Sequence, residues 1–312
     1  MKRIKEKNSI ILSNNMIDKT IHSIFKKGSK TYFYTTIFFP GNVKSDVFTL
    51  YSFLRKADDY VDSIPQDIEG FNNFKNRYYE GINGVKTGDV VIDSFIELLN
   101  RKEFDSKWVD AFFISMEMDL TVSSYKTFDE LDKYLYGSSE VVGLFMAKIL
   151  DLPEDAYISA KYLGRAMQYL NFIRDIDEDL DLGRNYFPET ELVKYGLSRL
   201  EYDRIQENKE NFRSLVRSQI DIYKEWQMKA EEGFVFIPCR YLIPIKTASE
   251  MYLWTSDQIY KNPLVVYDKK IKPSILRIIL NIGIGLGKCA KIISKKSKLH
   301  KKSVILSKID MK

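Results

Sequence analysis

The chain has 312 residues, 45% hydrophobic and 29% charged, with 20 Tyr and 19 Phe. That much apolar and aromatic surface supports a large core and excludes a disordered chain, while 15 Gly and 8 Pro are too few for collagen-like or Pro-rich sequence. The net charge of +5 is unevenly placed: residues 269–312 hold thirteen Lys and Arg against one acid, Asp310, leaving residues 1–268 with 35 bases and 42 acids. An acidic body argues against a nucleic-acid groove, and it directs attraction for phosphates or anionic lipid to the C-terminal segment.

In chain order, apolar residues at three-and-four spacing predict helices at roughly 16–28, 43–62, 67–80, 89–101, 106–120, 127–135, 138–150, 154–182, 189–194, 198–206, 208–232, 239–260 and 273–285. Breakers separate them, among them Pro40-Gly41, Pro65, Pro153, the Gly183 to Pro188 turn and Pro263. The class is all-α. No linker-like shift precedes the C-terminal segment, so the expected division is one helical domain over 1–287 and a basic tail over 288–312. The apolar stretch 275–286 is interrupted by Arg277 and is too short to span a bilayer. No signal peptide is read at the N-terminus.

Two cysteines, Cys239 and Cys289, are too few for a disulfide scaffold or a multi-cysteine zinc site, and they fit a reducing, cytoplasmic compartment. The two histidines, His22 and His300, lie near the ends, which argues against a His-based triad or metal site. Chemistry then falls to carboxylates, Arg, Lys and Tyr.

Two segments carry it. Over residues 50–62, Leu50, Phe53, Leu54, Ala57 and Val61 form an apolar stripe, and Tyr51, Arg55, Asp58 and Asp62 fall within roughly 60° of one another beside it. Asp59 points away. Over residues 164–179, Gly164, Gln168, Asn171, Asp175 and Asp179 form a second stripe, with Asp177 on the other side. Paired carboxylates bordering an apolar face repel unless a cation lies between them. Hard oxygen donors without His or Cys suit Mg²⁺, with Mn²⁺ as an alternative, completed by substrate phosphate oxygens. Arg55 and Arg174 stand ready for the phosphates. An EF-hand reading of Asp175, Asp177 and Asp179 fails, because Leu180 and Tyr186 hold the glycine and closing-acid positions. Gly164 is read as leaving room for a ligand chain or a close helix neighbour.

These residues resemble the squalene/phytoene synthase family of head-to-head prenyl synthases. Asp58-Asp-Tyr-Val-Asp62 and Asn171-Phe-Ile-Arg-Asp-Ile-Asp-Glu-Asp179 look like its two aspartate-rich motifs, and Gly183-Arg-Asn-Tyr-Phe-Pro188 like its Gly-Arg-x-Tyr-x-Pro turn. Gly28-Ser-Lys-Thr31 with Tyr32-Phe33-Tyr34, Tyr134-Leu-Tyr136-Gly137 and Tyr252 match in family order. The resemblance implies a single-domain helical bundle around a central cavity, joining two isoprenoid diphosphates through a cyclopropyl diphosphate. It implies Asp58, Asp62, Asn171, Asp175 and Asp179 as metal ligands. Ser29, Lys30, Thr31, Tyr51, Arg55, Tyr134, Gln168, Asn171, Arg174 and Tyr252 would bind substrate, and Tyr51, Arg55 and the four aspartates of the stripes would serve catalysis. Two positions depart from the pattern: Glu140 where a small residue is usual, and Lys269 where an Arg is common.

Phytoene from geranylgeranyl diphosphate is the favoured product, since no GxGxxG dinucleotide motif is present. The alternatives are squalene, which would require NADPH, and C30 diapophytoene, both from farnesyl diphosphate. A one-substrate terpene cyclase or a non-catalytic lipid-surface protein are readings from other classes. The expected partners are prenyl diphosphates and, through the basic tail, a membrane surface; nucleic acid is not expected.

Overall fold

The computed structural model describes residues 17–28, 30–274, 276, 277, 280, 282 and 283. In chain order its helices are α1 (Lys19–Gly28), α2 (Lys30–Thr36), α3 (Gly41–Val61), α4 (Ile68–Ile82), α5 (Val90–Lys102), α6 (Ser106–Thr121) and α7 (Phe128–Leu135). A π-helical turn (Tyr136–Glu140) leads into α8 (Val141–Ile149), followed by α9 (Tyr157–Arg174), α10 (Ile176–Asp181), α11 (Glu189–Lys194) and α12 (Tyr202–Gln206). The long α13 (Lys209–Glu232), α14 (Cys239–Lys261) and the short α15 (Val265–Asp268) complete the series. Among the described residues there is no strand, only one bridge between Ser124 and Asn185.

Local chemistry explains many of the starts. The Asp89 side chain accepts from the Val91 and Ile92 amides, Asp67 from Gly70, Asp105 from Lys107 and Thr127 from Glu130; each satisfies a donor that has no intrahelical partner. Periodicity alone placed these elements well. It does not mark α2, which falls between two predicted helices, or α15. It also joined three pieces that the structure separates: the helix expected over 154–182 opens with a 3₁₀ turn at Glu154–Ala156 and breaks at Asp175.

Two buried clusters make the core. One, rich in Phe, collects Phe48, Phe53, Phe71, Phe74, Phe95, Phe113 and Phe145 from α3 to α8, with Phe53 stacked on Phe95 at 3.8 Å between ring centroids. The other gathers Tyr169, Leu170, Ile173, Phe212, Leu215, Ile220 and Tyr223, mainly where α9 packs on α13. Tyr32 packs against both. Such aromatic burial contributes most of the favourable free energy of folding, roughly 1.5–3 kcal/mol per fully buried large apolar side chain. Cys239 is disulfide-bonded, so the expectation of reduced cysteines fails there. The region 288–312, expected as a tail, lies outside the described residues. No helix among the described residues is long and apolar enough to cross a membrane.

Candidate active site

The first acidic stripe ends α3. Asp62 caps the helix, its amide donating to the Asp58 carbonyl at 2.8 Å. The Asp58 and Asp62 carboxylates are half-buried, and burial, then the neighbouring Asp62 charge, pushes Asp58 up to about 8. Arg55 does not stand between them: its guanidinium pairs with Asp59 at 2.6 Å. That gives the outward-pointing Asp59 a bonded partner, while Asp58 feels the Arg55 charge without an ion pair to it.

The second stripe is divided by the break at Asp175, whose backbone (φ −107°, ψ 20°) ends α9 and precedes α10. Arg174 grips the Asp175 carboxylate with two bonds of 2.8 and 2.6 Å. Lys270 reaches the same carboxylate at 3.2 Å and also contacts Glu178. Burial and then the Asp175 charge hold Asp179 well above the usual carboxylate range. Burial, Lys270 and Arg174 together depress the Lys272 ammonium. Acids crowd acids on one side of the site, and cations crowd cations on the other.

Arg184 ties the stripes together. Gly183, at φ +73°, turns the chain after α10, and the Arg184 amide donates back to the Asp179 carbonyl at 2.8 Å. The Asn185 amide donates to the Ser123 carbonyl and the Glu189 amide to the Tyr125 carbonyl, both at 2.8 Å, which lays this turn along the loop after α6. The buried Arg184 side chain then donates to Asp62 Oδ1 at 2.8 Å and to the Val61 carbonyl at 2.5 Å. Beside it Asp119, 6% exposed, accepts from the Tyr186 hydroxyl at 2.7 Å and the Tyr134 hydroxyl at 2.8 Å. Burial raises Asp119 to about 6, against the opposing pull of Arg184 and the two hydroxyls.

Three tyrosines and two amides line the approach. Tyr32 donates to the Tyr252 hydroxyl at 2.9 Å, Tyr252 to Asn171 Oδ1 at 3.3 Å, and Asn171 Nδ2 to Gln168 Oε1 at 3.3 Å. Tyr51 stacks on Phe25, with centroids 4.1 Å apart, and burial raises its hydroxyl above the ordinary phenol value. Tyr51, Arg55, Asp58, Asp62, Gln168, Asn171, Arg174, Asp175, Asp179 and Tyr252 therefore share one region. Tyr134 is set behind it, its hydroxyl engaged by Asp119. Ser29 lies outside the described residues, as do the side chains of Lys30 and Thr31 in α2.

Glu140, 4% exposed, is satisfied within the protein: Arg165 bonds it at 2.6 Å and Lys161 at 3.0 Å, while Arg165 also holds Asp132. Lys269 is exposed, and Lys270 reaches the acids instead. A side chain on Gly164 would meet the Ser139 carbonyl oxygen at 2.1 Å; of its two expected uses, the close helix neighbour is the one seen. A small recess beside Asp179 and Arg184 is lined by Phe172, Tyr186 and Leu200, and a separate surface pocket of about 390 Å³ lies at Arg101, Lys102 and Lys148. Arg184, Asp119, Tyr186, Lys270 and Tyr32 were missed as site residues. Arg184 and Tyr186 belong to the Gly183 to Pro188 turn and Tyr32 to the Tyr-Phe-Tyr run, so their motifs were visible; nothing local marked Asp119 or Lys270.

The oxygen donors present fit a hard divalent cation, since opposed, proton-raised carboxylates are what such an ion relieves. Among the described residues no three or more acids, His or Cys converge on one point.

A family model for squalene/phytoene synthase matches residues 25–277. The 15-cis-phytoene synthase of Synechocystis is 27% identical over 259 residues, 78% of this chain and 76% of that protein. The 4,4'-diapophytoene synthase of Staphylococcus haemolyticus is 26% identical over 225 residues, 65% of this chain and 78% of that one. The chloroplastic phytoene synthase of Daucus carota is 26% identical over 249 residues, and this chain spans 59% of its length. A crystal structure of a dehydrosqualene synthase in complex with ligand superposes with a TM-score of 0.77 at 20% identity, covering 87% of this chain and 95% of that one; at that identity it speaks for the fold. With the two acidic stripes, the Arg184 turn and a match over most of its length, the chain belongs to the squalene/phytoene synthase family and is a prenyltransferase of the head-to-head type.

Proposed function

We propose that the chain joins two molecules of geranylgeranyl diphosphate head to head, through a cyclopropyl diphosphate, and releases phytoene and diphosphate for carotenoid synthesis. The observation that carries this is the opposition of the Asp58–Asp62 and Asp175–Asp179 stripes beside the cations Arg174, Lys270 and Lys272. Asp58, Asp62, Asn171, Asp175 and Asp179 are the residues that would hold Mg²⁺, or Mn²⁺ in its place. When bound, such an ion neutralises charge growing on a leaving diphosphate.

The chain's own residues do the rest. Arg174 and Lys270 present positive charge to the phosphate oxygens, and the depressed Lys272 ammonium gains most from an anion beside it. Tyr32, Tyr51 and Tyr252 offer hydroxyls at the head of the site and ring faces that attract a developing carbocation. The packed aromatic walls exclude water, which would otherwise quench that cation. The C30 reading, diapophytoene from farnesyl diphosphate, is kept because the Staphylococcus haemolyticus relative carries that name. NADPH would be needed only for squalene. Contact with a membrane surface through the basic segment completes the proposal.

The test is product analysis by mass spectrometry after incubation with C15 or C20 diphosphate, with and without NADPH, in Mg²⁺ or excess EDTA. The expected result is a C40 hydrocarbon from the C20 substrate without NADPH, abolished by EDTA. A hydrocarbon containing one prenyl chain would overturn the reading in favour of a cyclase, and an NADPH-dependent C30 alkene would shift it to squalene.

A further inference from the structure

The π-helical turn Tyr136–Glu140 and the start of α8 present side chains in several directions, and the neighbouring helices fix each of them. A side chain on Gly137 would strike the Ala111 carbonyl oxygen of α6 at 2.0 Å, and one on Gly143 the Ala160 carbonyl oxygen of α9 at 2.1 Å. Those two faces are closed by backbone. The Ser139 carbonyl lies against Gly164, so this segment and α9 run antiparallel, with 139 and 143 level with 164 and 160. On one flank of that seam Glu140 meets Lys161 and Arg165.

The other flank is apolar except for one group. A turn of about 100° per residue places Ser138 and Val142 away from Glu140 on the one segment, and Leu163 and Met167 away from Lys161 and Arg165 on the other. All four are half-buried. α2 and α14 close over this flank: the Tyr32 hydroxyl lies 3.2 Å from the Met167 sulfur and donates to the Tyr252 hydroxyl at 2.9 Å. At about 1.5 Å per residue, Ser138 is level with a point roughly 9 Å along α9 from Asn171 and roughly 15 Å from Asp175. That is the depth at which a substrate whose diphosphate meets the acids carries its hydrocarbon.

Within this flank the Ser138 hydroxyl oxygen is buried and has no hydrogen-bond partner among the described residues. Its neighbour shows the ordinary alternative: Ser139 returns its hydroxyl to the Leu135 carbonyl at 2.7 Å. The carbonyl one turn before Ser138, that of Tyr134, is taken by the Ser115 hydroxyl at 2.9 Å. An unpaired buried hydroxyl costs stability, and such a cost persists where function uses the group. We propose that Ser138 is a further catalytic residue, whose Oγ lone pairs face the positive charge that develops in the hydrocarbon once diphosphate has left. No bond forms to Ser138; its dipole stabilises the cation while it rearranges, in an apolar surround where water does not screen the interaction. The assignment rests on the prenyl-coupling reading for the identity of that charge.

The test uses the full-length protein in Mg²⁺ and unreactive C20 ligands, with binding read by titration calorimetry. One ligand is geranylgeranyl thiolodiphosphate, whose hydrocarbon is uncharged. The others are C20 diphosphates with a protonated tertiary amine in place of the C3 or the C7 branch carbon. Ser138→Ala should weaken at least one amine ligand by about tenfold or more, the scale of a hydrogen bond to a charged group, and leave the thiolodiphosphate within about twofold of wild type. Its melting temperature should equal or exceed that of wild type, because an unpaired buried hydroxyl is removed. Equal losses for all ligands, or no loss for either amine, would overturn the assignment. So would a lower melting temperature, which would give the hydroxyl a structural partner. If the wild-type protein binds none of the diphosphates, the prenyl synthase reading fails and this assignment with it; if it binds them and the variant does not discriminate, the assignment fails alone.

Discussion

On α3 the acids Asp58 and Asp62 stand one turn apart at the C-terminal end of a single helix, and the cation that bonds Asp62, Arg184, comes from 122 residues later. Along α9 and α10 the helix breaks at Asp175, and the cation that grips it, Arg174, is the preceding residue. Similar sequence spacing has produced two electrostatic solutions. The first stripe is complete only when the second half of the molecule is folded against it, and burial with the neighbouring Asp62 charge favours the protonated form of Asp58. The second is neutralised locally at Asp175, while Asp179, farther along, is held well above the ordinary carboxylate range by burial and the Asp175 charge. A divalent ion would therefore gain most from Asp58 and Asp179, the two carboxylates raised furthest from their ordinary range among the stripe acids.

The largest effect that could break this comparison is on turnover. Asp58→Asn and Asp179→Asn should each lower kcat by about a hundredfold or more, with the melting temperature unchanged or higher. A drop at only one of them would mean that the two stripes do not act as a pair. The pH dependence follows from the sign of the shift. Asp58 holds its proton more tightly folded than unfolded, so its ionisation costs stability as pH rises from about 4, its unfolded value, toward about 8. The urea midpoint of Asp58→Asn should therefore pull ahead of wild type between pH 5 and pH 8 and keep a constant lead above that. A lead that shrinks with rising pH would sink the assignment.

Effects on stability come next. Gly164→Leu should cost roughly 1–3 kcal/mol by urea titration, because the Ser139 carbonyl occupies the space its side chain needs; unchanged stability would show that the two backbones can part freely. Arg184→Ala should cost about 2 kcal/mol, since charged hydrogen bonds to Asp62 and Val61 are lost together. Arg174→Ala should cost less, as Lys270 remains on Asp175. Equal losses would erase the contrast between distant and local neutralisation. Smallest is Asp59→Asn: its pair with Arg55 is exposed and worth a few tenths of a kcal/mol, and turnover should stay within about threefold of wild type. Loss comparable with Asp58→Asn would overturn the division of the α3 face.

How much of this was readable in the amino-acid order follows the range of the interactions. Helix periodicity separated Asp58 and Asp62 from Asp59, and it aligned Gly164, Gln168, Asn171 and Asp175, because those relations are set within a few turns. It did not reveal the break at Asp175, whose neighbours are acceptable helix formers; what opposes a continuous helix there is the double grip of Arg174 and the contact with Lys270. Arg55 was assigned to phosphate on proximity, yet its favourable i,i+4 partner is Asp59. Asp119 gave no local signal, because it becomes part of the site only when tyrosines from two later segments close over it. Glu140 looked anomalous in sequence for the same reason, since the bases that accept it arrive from α9.

The π-helical turn Tyr136–Glu140 makes the segment from Phe128 to Ile149 a helix carrying one more residue than its axis needs. An α-helix advances about 100° per residue, so that surplus residue sets the phase of everything after it. Upstream, Leu131 and Leu135 face the second core cluster; downstream, Val141, Phe145 and Ile149 face the first. One rod thus serves two cores that lie in different directions, and the turn is the phase shift between them. Removing a single residue from 136–140 would regularise the hydrogen bonding while rotating Phe145 away from Phe95 and Phe104. In this segment a locally better helix would make a globally worse protein.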